Sequence, residues 1–439
     1  MIRDVKIKNF KSIIDEKIEL KQLNLLCGEN ASGKTSIIHA ILIAVQRLQS
    51  SSNFDGDILK IGDYSELRNF ENGSDISIEI NTDNGRNRKV TLKKSDDEGV
   101  ILETSPNEFV LEFEKDVYYI SSNRTGKFDV YSKDNSLFGM NGGAGVSFLF
   151  ENRDNQMPEL YMSKFASNHE DSLVKDNPGF LAHVRWWFEY ITQETLNIEP
   201  ISHTNQFVLT YGGSEKNIRP INTGSGFSFV LPLVILCLGA VLRGERPTII
   251  IENPEIYLHP GAQIKMCEFF KFISSFTQLI IETHSECVLK ALMEDEDRDT
   301  QIILLKKEEG KSKISYLNNS NFVLSPISYA EVLYSILGIL TPDLHIALFS
   351  ALHEKYNNSI NKSETRIIEF DKYLCDTFPD VPRKVREHNS TTYNTLCSFI
   401  RNCIDHPEQS DSNGHKYVYT ESELKKSIDF MIAKFNCIR

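Results

Sequence analysis

No apolar run in the 439-residue chain approaches the roughly eighteen residues that a membrane-spanning helix needs. The opening MIRDVKIKNF also lacks the apolar stretch of a secretory leader, so the expected location is the cytoplasm, with no membrane partner. Eight cysteines are present, at 27, 237, 267, 287, 375, 397, 403 and 437, but none forms a CxxC pair or a Cys/His cluster at zinc spacing. That excludes a zinc module and leaves reduced, small core residues. Positive charge is in deficit: 48 Lys and Arg stand against 61 Asp and Glu, a net charge of −13. A broad basic footprint is therefore excluded, and any nucleic-acid contact must run through a local groove or a partner. Internal repeats and low-complexity tails are absent as well. What remains is 40% hydrophobic and 25% charged residues, the balance of a globular chain large enough for two or three cores.

The pattern along the chain divides it in four. Residues 1–26 alternate apolar and polar positions, predicting strands that lead into a Gly-rich loop, and 36–48 place Ile37, Ile38, Ala40, Ile41, Ile43 and Ala44 at helical spacing. ISIEI, KVTLKK, FVLEFE and VYYI between residues 75 and 120 read as a β meander. Residues 121–215 change character, with GMNGGAG and the aromatic helix HVRWWFEYI, and read as an insertion or lid. Its Trp186 and Trp187 are expected in the lid core rather than as a stacking platform. VLPLVILCLGAVL, TIIIEN and QLIIETHS then predict a buried helix and two buried parallel strands. From Pro326 onward the periodicity is helical to the end. The expected domains are 1–120 and 216–325, the two parts of one α/β head, the insertion 121–215 between them, and an all-α domain over 326–439.

GENASGKT, residues 28–35, fits G-x-x-x-x-G-K-[ST] with a strand before and a helix after. Gly28, Glu29, Asn30, Ala31, Ser32, Gly33 and Ser36 form the loop whose backbone N–H groups face phosphate oxygens. Lys34 reaches the β/γ-phosphates of ATP, and Thr35 ligates magnesium. TIIIENPE delivers Glu252 from a buried strand toward the same Mg2+. The next position is Asn253, and an amide cannot take a proton from water. Glu255 is the remaining general-base candidate, and slow hydrolysis is the expectation. At the end of the second buried strand, Thr283 and His284 can reach a γ-phosphate or the attacking water. Gly224, Ser225 and Gly226, just before the long apolar helix, can bind an anion through backbone N–H groups. Asn123 and Arg124 read either as a nucleotide sensor or as a solvated turn.

In order, NFKS, GENASGKTS, TGSGFSFVLP, IENPEIYLHP and IETHSE resemble the ABC-type ATPases of the RecF/SMC-like group, and within it the OLD-like and Septu-type ATPases of bacterial anti-phage systems. The resemblance covers residues 1–50 and 215–320. It implies an ABC-type P-loop head in which ATP lies between the phosphate loop of one copy and the TGSG signature of another, in a homo-oligomer. The Toprim nuclease domain of the OLD proteins is missing here.

IRNCIDHPE, residues 400–408, instead looks like the motif of HEPN ribonuclease domains. Pro407 places His406 at a helix end. In that likeness Arg401 would stabilise a phosphate and His406 would act as acid or base in metal-free RNA cleavage. A docking module is the other reading of the same residues. The expected activity is an ATPase subunit of a defence complex whose nuclease resides in a partner, of HNH type in Septu-like pairs. An ATP-gated ribonuclease at Arg401 and His406, and a RecF-like repair ATPase, are the alternatives.

Overall fold

The computed structural model describes residues 1–46, 55–56, 58–60, 62, 64–69, 75–94, 100–104, 111–124, 130–132, 145–169, 176, 178–200, 206–212, 218, 225–244, 246–293, 299–317, 322–324, 327–388, 391–411 and 414–438. The chain forms two units, Met1–Tyr316 and Leu317–Arg439.

The first unit opens with strands β1 (Ile2–Phe10), β2 (Ile13–Glu19) and β3 (Leu23–Gly28), then helices α1 (Lys34–Val45) and α2 (Tyr64–Leu67). Strands β4 (Ile76–Thr82), β5 (Asn87–Lys94), β6 (Val100–Thr104), β7 (Val117–Ile120) and β8 (Val130–Ser132) follow. Next come helices α3 (Gly145–Glu151), α4 (Glu159–Asn168) and α5 (Phe180–Thr192), strands β9 (Leu196–Pro200) and β10 (Gln206–Tyr211), and helix α6 (Ser225–Leu242). The unit closes with β11 (Thr248–Glu252), α7 (Pro260–Ser274), β12 (Gln278–Glu282), α8 (Glu286–Met293), β13 (Thr300–Glu308) and β14 (Lys311–Tyr316).

Two sheets carry the unit. One is antiparallel, in the order β2-β1-β4-β5-β6; the other runs β14-β13-β3-β12-β11-β7, parallel except for its edge strand β14. Strands β3, β7, β11 and β12 are buried at every residue, which explains the apolar runs of the last three; in β3 the run is broken by Asn24, whose buried amide donates to the Lys21 and Leu279 carbonyls. Helix α1 lies between the sheets, with Ile37 and Ile41 in one cluster with Val5 and Ile78 of the first sheet and Ile250, Ile280 and Ile303 of the second. A smaller antiparallel sheet, β8-β10-β9, completes the described strands here.

The meander expected over 75–120 is only partly present. β4 and β5 pair as predicted and β6 extends them, but VYYI, as β7, pairs in parallel with β11 in the other sheet. Its four consecutive buried residues belong in a strand covered on both faces, not in an alternating one. FVLEFE forms no strand among the described residues; Phe113 makes one isolated bridge. Within the segment read as an insertion, α4 and α5 pack on α7 through Tyr161, Phe165, Trp187, Phe269 and Phe272. Trp187 is 1% exposed and donates from Nε1 to the Tyr161 hydroxyl at 3.1 Å, a core residue as expected. GMNGGAG lies outside the described residues apart from its last glycine, Gly145, which begins α3.

The second unit holds α9 (Tyr329–Leu337), α10 (Pro342–Ser359), α11 (Ile367–Thr377), strands β15 (Arg383–His388) and β16 (Thr391–Thr395), then α12 (Leu396–Asp405) and α13 (Glu421–Lys434). The hairpin β15–β16 corrects the all-α expectation. It interrupts the helices where Val381-Pro382 and a Thr-rich, charged stretch offer no apolar stripe for a helix to bury. Asp371, fully buried, accepts hydrogen bonds from the Asn394 and Thr395 N–H groups and the Thr395 hydroxyl, tying the hairpin to α11. Among the described residues no single helix is long and apolar enough to cross a membrane; the pair α9 and α10, which together would be, bends by 118°.

One buried amide joins the two large sheets. Gln278 Oε1 accepts from Ile2 N at 2.9 Å and from Thr248 Oγ1 at 2.7 Å, while its Nε2 donates to the carbonyls of Ile2 and Lys21 at 2.7 and 2.8 Å. Gln278→Leu removes the side-chain partner of the Ile2 N–H and carbonyl and of the Thr248 hydroxyl, while the Lys21 carbonyl keeps its bond from Asn24. We expect a loss of roughly 3–5 kcal/mol, read as a lower urea midpoint at unchanged slope; a loss under about 1 kcal/mol would contradict this role.

Candidate nucleotide site

Strand β3 ends at Gly28, and the chain turns through Glu29, Asn30 and Ala31 into α1. These three residues are exposed, whereas Ser32, Gly33, Lys34 and Ser36 are buried. Gly33 has φ 109°, and a Cβ there would lie 2.4 Å from Ser312 Oγ, so only glycine suits the position. Ser312 in turn donates to the Ser32 carbonyl at 2.7 Å and is hydrogen-bonded to Ser12 at 2.7 Å, bracing the loop from β14 and the β1–β2 turn. Lys34 folds its ammonium back onto the carbonyls of Gly28 and Glu29, both at 2.9 Å. Burial holds this ammonium below the usual lysine range, with Glu282 pulling the other way.

The parallel register sets Glu282 beside Leu26 on one side and Glu252 on the other. Both carboxylates thus emerge at the C-terminal edge of the sheet, beside the phosphate loop. Thr35 is exposed and donates from its hydroxyl to Glu282, at 2.9 Å to Oε1 and 3.2 Å to Oε2. Glu282 is 3% exposed, and burial pushes its carboxyl up to about 7, opposed by the Thr35 bond and assisted by the charge of Glu252. Glu252 faces the other way. Its Oε2 accepts from the Ser122 N–H at 3.2 Å, and it is hydrogen-bonded to the Tyr119 hydroxyl, whose own ionisation burial and this carboxylate push up.

Beyond β11 the chain enters a tight turn in which Asn253 has φ 41°, a conformation that asparagine tolerates. Its N–H donates to the Glu282 carbonyl at 2.8 Å, so the two strand ends stay joined. Asn253 Oδ1 is buried without a partner. Glu255 accepts from the His284 N–H through Oε1 at 2.8 Å, and its Oε2 is buried and unpaired. His284 presents an exposed face, but its ring is partly desolvated by the groups packed around it, and this and then the charge of Lys34 hold it below the usual histidine range.

Arg124 is not a solvated turn residue. At 2% exposure it donates to the carbonyls of Glu252 at 2.7 Å, Asn253 at 2.8 Å and Ser121 at 3.2 Å, clamping the end of β11. Burial lowers it to about 10, a value at which it stays charged. Its guanidinium stands 5.7 Å from the Phe229 ring, which contacts Tyr257 at 5.0 Å. Of the signature loop, Gly224 lies outside the described residues, Ser225 opens α6, and Gly226 sits so close to the turn that a Cβ would meet the Tyr257 carbonyl at 2.7 Å.

The structure therefore brings together Lys34, Thr35, Glu252, Glu255 and His284, and adds Glu282, which the sequence reading passed over. These residues suit a magnesium–phosphate group. Ser32 Oγ is buried and unpaired in the loop, and hydroxyl and carboxylate oxygens are hard donors. Among the described residues no three His, Cys, Asp or Glu side chains are grouped to hold a metal alone. An ion there would take its remaining ligands from phosphate and water.

Arg401 and His406 belong to the second unit and do not bond to each other among the described residues. Arg401 pairs with Asp405 at 2.6 Å and donates to Asn402 Oδ1 at 2.9 Å. His406 caps α12, 47% exposed, with Glu408 at 3.7 Å.

Two stretches of Rad50 sequence align with the chain. The DNA double-strand break repair Rad50 ATPase of Archaeoglobus fulgidus is 37% identical over 82 residues, which is 18% of this chain and 9% of that protein. Its counterpart from Methanocaldococcus jannaschii is 34% identical over 89 residues, 20% of this chain and 9% of that protein. The chain thus matches about a tenth of the length of these relatives. Among solved structures, the SMC head domain from Thermotoga maritima is 11% identical with a TM-score of 0.39, covering 72% of this chain and 99% of that one. An Smc head with an extended coiled coil, bound to the C-terminal domain of ScpA derived from Pyrococcus furiosus, is 11% identical with a TM-score of 0.45, covering 73% and 97%. The AAA ATPase domain family matches residues 1–172 and 162–289, about two thirds of the sequence, and includes every residue of the phosphate loop and of the two carboxylate-bearing strand ends. The chain is a member of the AAA ATPase domain family.

Proposed function

We propose that the chain is an ABC-type ATPase, related to the Rad50 and SMC ATPases, that binds ATP with magnesium and works as an assembly of two or more copies. The observation that carries this reading is the meeting of Lys34 and Thr35 with Glu282, Glu252 and His284 at one edge of the parallel sheet. Lys34 and the backbone N–H groups at the start of α1 offset phosphate charge. Magnesium, when bound, supplies Lewis-acid polarisation of a phosphoryl oxygen. Glu255 holds the His284 backbone and keeps one oxygen, Oε2, free to accept a proton. Asn253 has no such capacity, which fits slow turnover.

The finer reading is an ATPase subunit of an anti-phage defence complex, with nucleotide state controlling self-assembly and a nuclease borne by a partner subunit of HNH type. The order of its motifs supports this. In the second unit the Arg401 guanidinium is engaged by Asp405 and Asn402, which favours a docking module there over a ribonuclease site. A RecF-like repair ATPase is the second reading, and the match to the Rad50 repair ATPases favours it.

Lys34→Ala should weaken binding of a fluorescent ATP analogue by roughly tenfold or more, the worth of a lost charge-assisted contact; unchanged affinity would contradict the phosphate-loop assignment. In a mixed RNA and DNA panel with ATP, neither wild type nor His406→Ala should cleave, and duplex DNA should leave ATP hydrolysis unchanged. RNA cleavage in EDTA by wild type alone would move the chemistry to α12, and DNA-stimulated hydrolysis would favour the repair ATPase.

A further inference from the structure

We infer that Glu282 is the carboxylate that organises the magnesium position, a task the order of motifs would give to Glu252. The inference rests on the reading of this site as one for magnesium-bound ATP. Three observations carry it. The first is contact: both oxygens of Glu282 lie within hydrogen-bond distance of the Thr35 hydroxyl, at 2.9 and 3.2 Å. The second is topology. β12 is the immediate neighbour of β3, the strand that leads into the phosphate loop, whereas β11 lies one strand further out and reaches β3 only across β12. The third is prior commitment of Glu252, whose carboxylate is held toward the β7 side by Ser122 N–H and the Tyr119 hydroxyl.

The chemistry follows from what a hydroxyl can do at once. Thr35 Oγ has one proton to donate and lone pairs to offer. With its proton given to Glu282, the lone pairs remain for a cation. Glu282 is thereby a positioning residue for Thr35, and it also brings a negative charge to the same spot. Lys34 is close enough to Glu282 for their charges to be felt mutually, so a cation held by Thr35 would be offset by Glu282 beside the loop lysine. Such hydrogen-bonded partners of a metal ligand commonly change metal affinity by about 10–100-fold when removed.

Manganese serves as the probe, titrated by electron paramagnetic resonance into the full-length protein saturated with ATP, with ATP affinity measured separately in EDTA. Glu282→Gln keeps the shape and an acceptor for Thr35 but removes the charge. It should weaken Mn2+ binding by roughly tenfold or more without weakening ATP binding in EDTA, since the charge removed is one that repels phosphate. Glu252→Gln should weaken Mn2+ less than Glu282→Gln does. Glu282→Asp, which restores the charge, should recover most of the Mn2+ affinity, a rescue that a purely structural role would not produce. Unchanged Mn2+ affinity in Glu282→Gln, a larger loss in Glu252→Gln, or no recovery in Glu282→Asp overturns this inference and leaves the ATP site standing. Wild-type protein that binds no ATP in either buffer overturns the reading of the site, and this inference with it.

Discussion

The site depends on one pairing: β12 lies between β3 and β11, parallel to both. A parallel strand needs both faces covered, and β12 meets that need with five buried residues flanked by two strands equally buried. The register then decides the chemistry. Once Ile281 is level with Leu25 and Ile251, the last residues of β12 and β11 fall at the edge where α1 begins, and Glu282 and Glu252 arrive there side by side. In open α/β sheets ligands gather beyond the carboxyl ends of the strands for this reason. Gln278, at the opposite end of β12, fastens the same strand to the antiparallel sheet.

Crowding three carboxylates at one edge is electrostatically unfavourable unless something offsets them. Lys34 does so from the loop and Arg124 from the β7 side, the latter through carbonyl groups rather than a direct ion pair. That choice of partners fixes the backbone of the turn after β11, where Asn253 and Tyr257 both adopt left-handed conformations. The same turn touches the start of α6 through Tyr257, which meets Gly226 and Phe229, so the turn that follows Glu252 and the helix that begins within the TGSG sequence are in contact.

Much of this arrangement is legible in the residues. The phosphate loop declared its strand and helix, and unbroken apolar runs marked β11 and β12 as buried. Glu282 is masked in sequence by Thr283 and His284 just beyond it, whose hydroxyl and imidazole carry the more obvious chemistry. Yet TIIIE and QLIIE share one shape, a polar residue, three apolar ones and a glutamate, and that likeness is the signal that could have found it. VYYI was misplaced because four apolar residues carry no record of which sheet they join; pairing partners are set by distant segments. The hairpin in the second unit is hard to see among the helices, since its strands are short and polar and the alternating burial of β16 is carried by Thr391, Tyr393 and Thr395 rather than by apolar residues. Arg124 reads in sequence either as a nucleotide sensor or as a solvated turn, because the carbonyls that hold it lie 128 and 129 residues away.

On the proposed reading, residues 28–36, the β11 turn and the end of β12 form one site for magnesium-bound ATP. Hydrogen exchange of the full-length protein, with and without magnesium and a non-hydrolysable ATP analogue, tests it most directly. Slower exchange is expected in segments 28–36, 252–255 and 282–285 together, rising over the same range of ligand concentration. Exchange unchanged in these segments at saturating ligand, or protection confined to others, would contradict it.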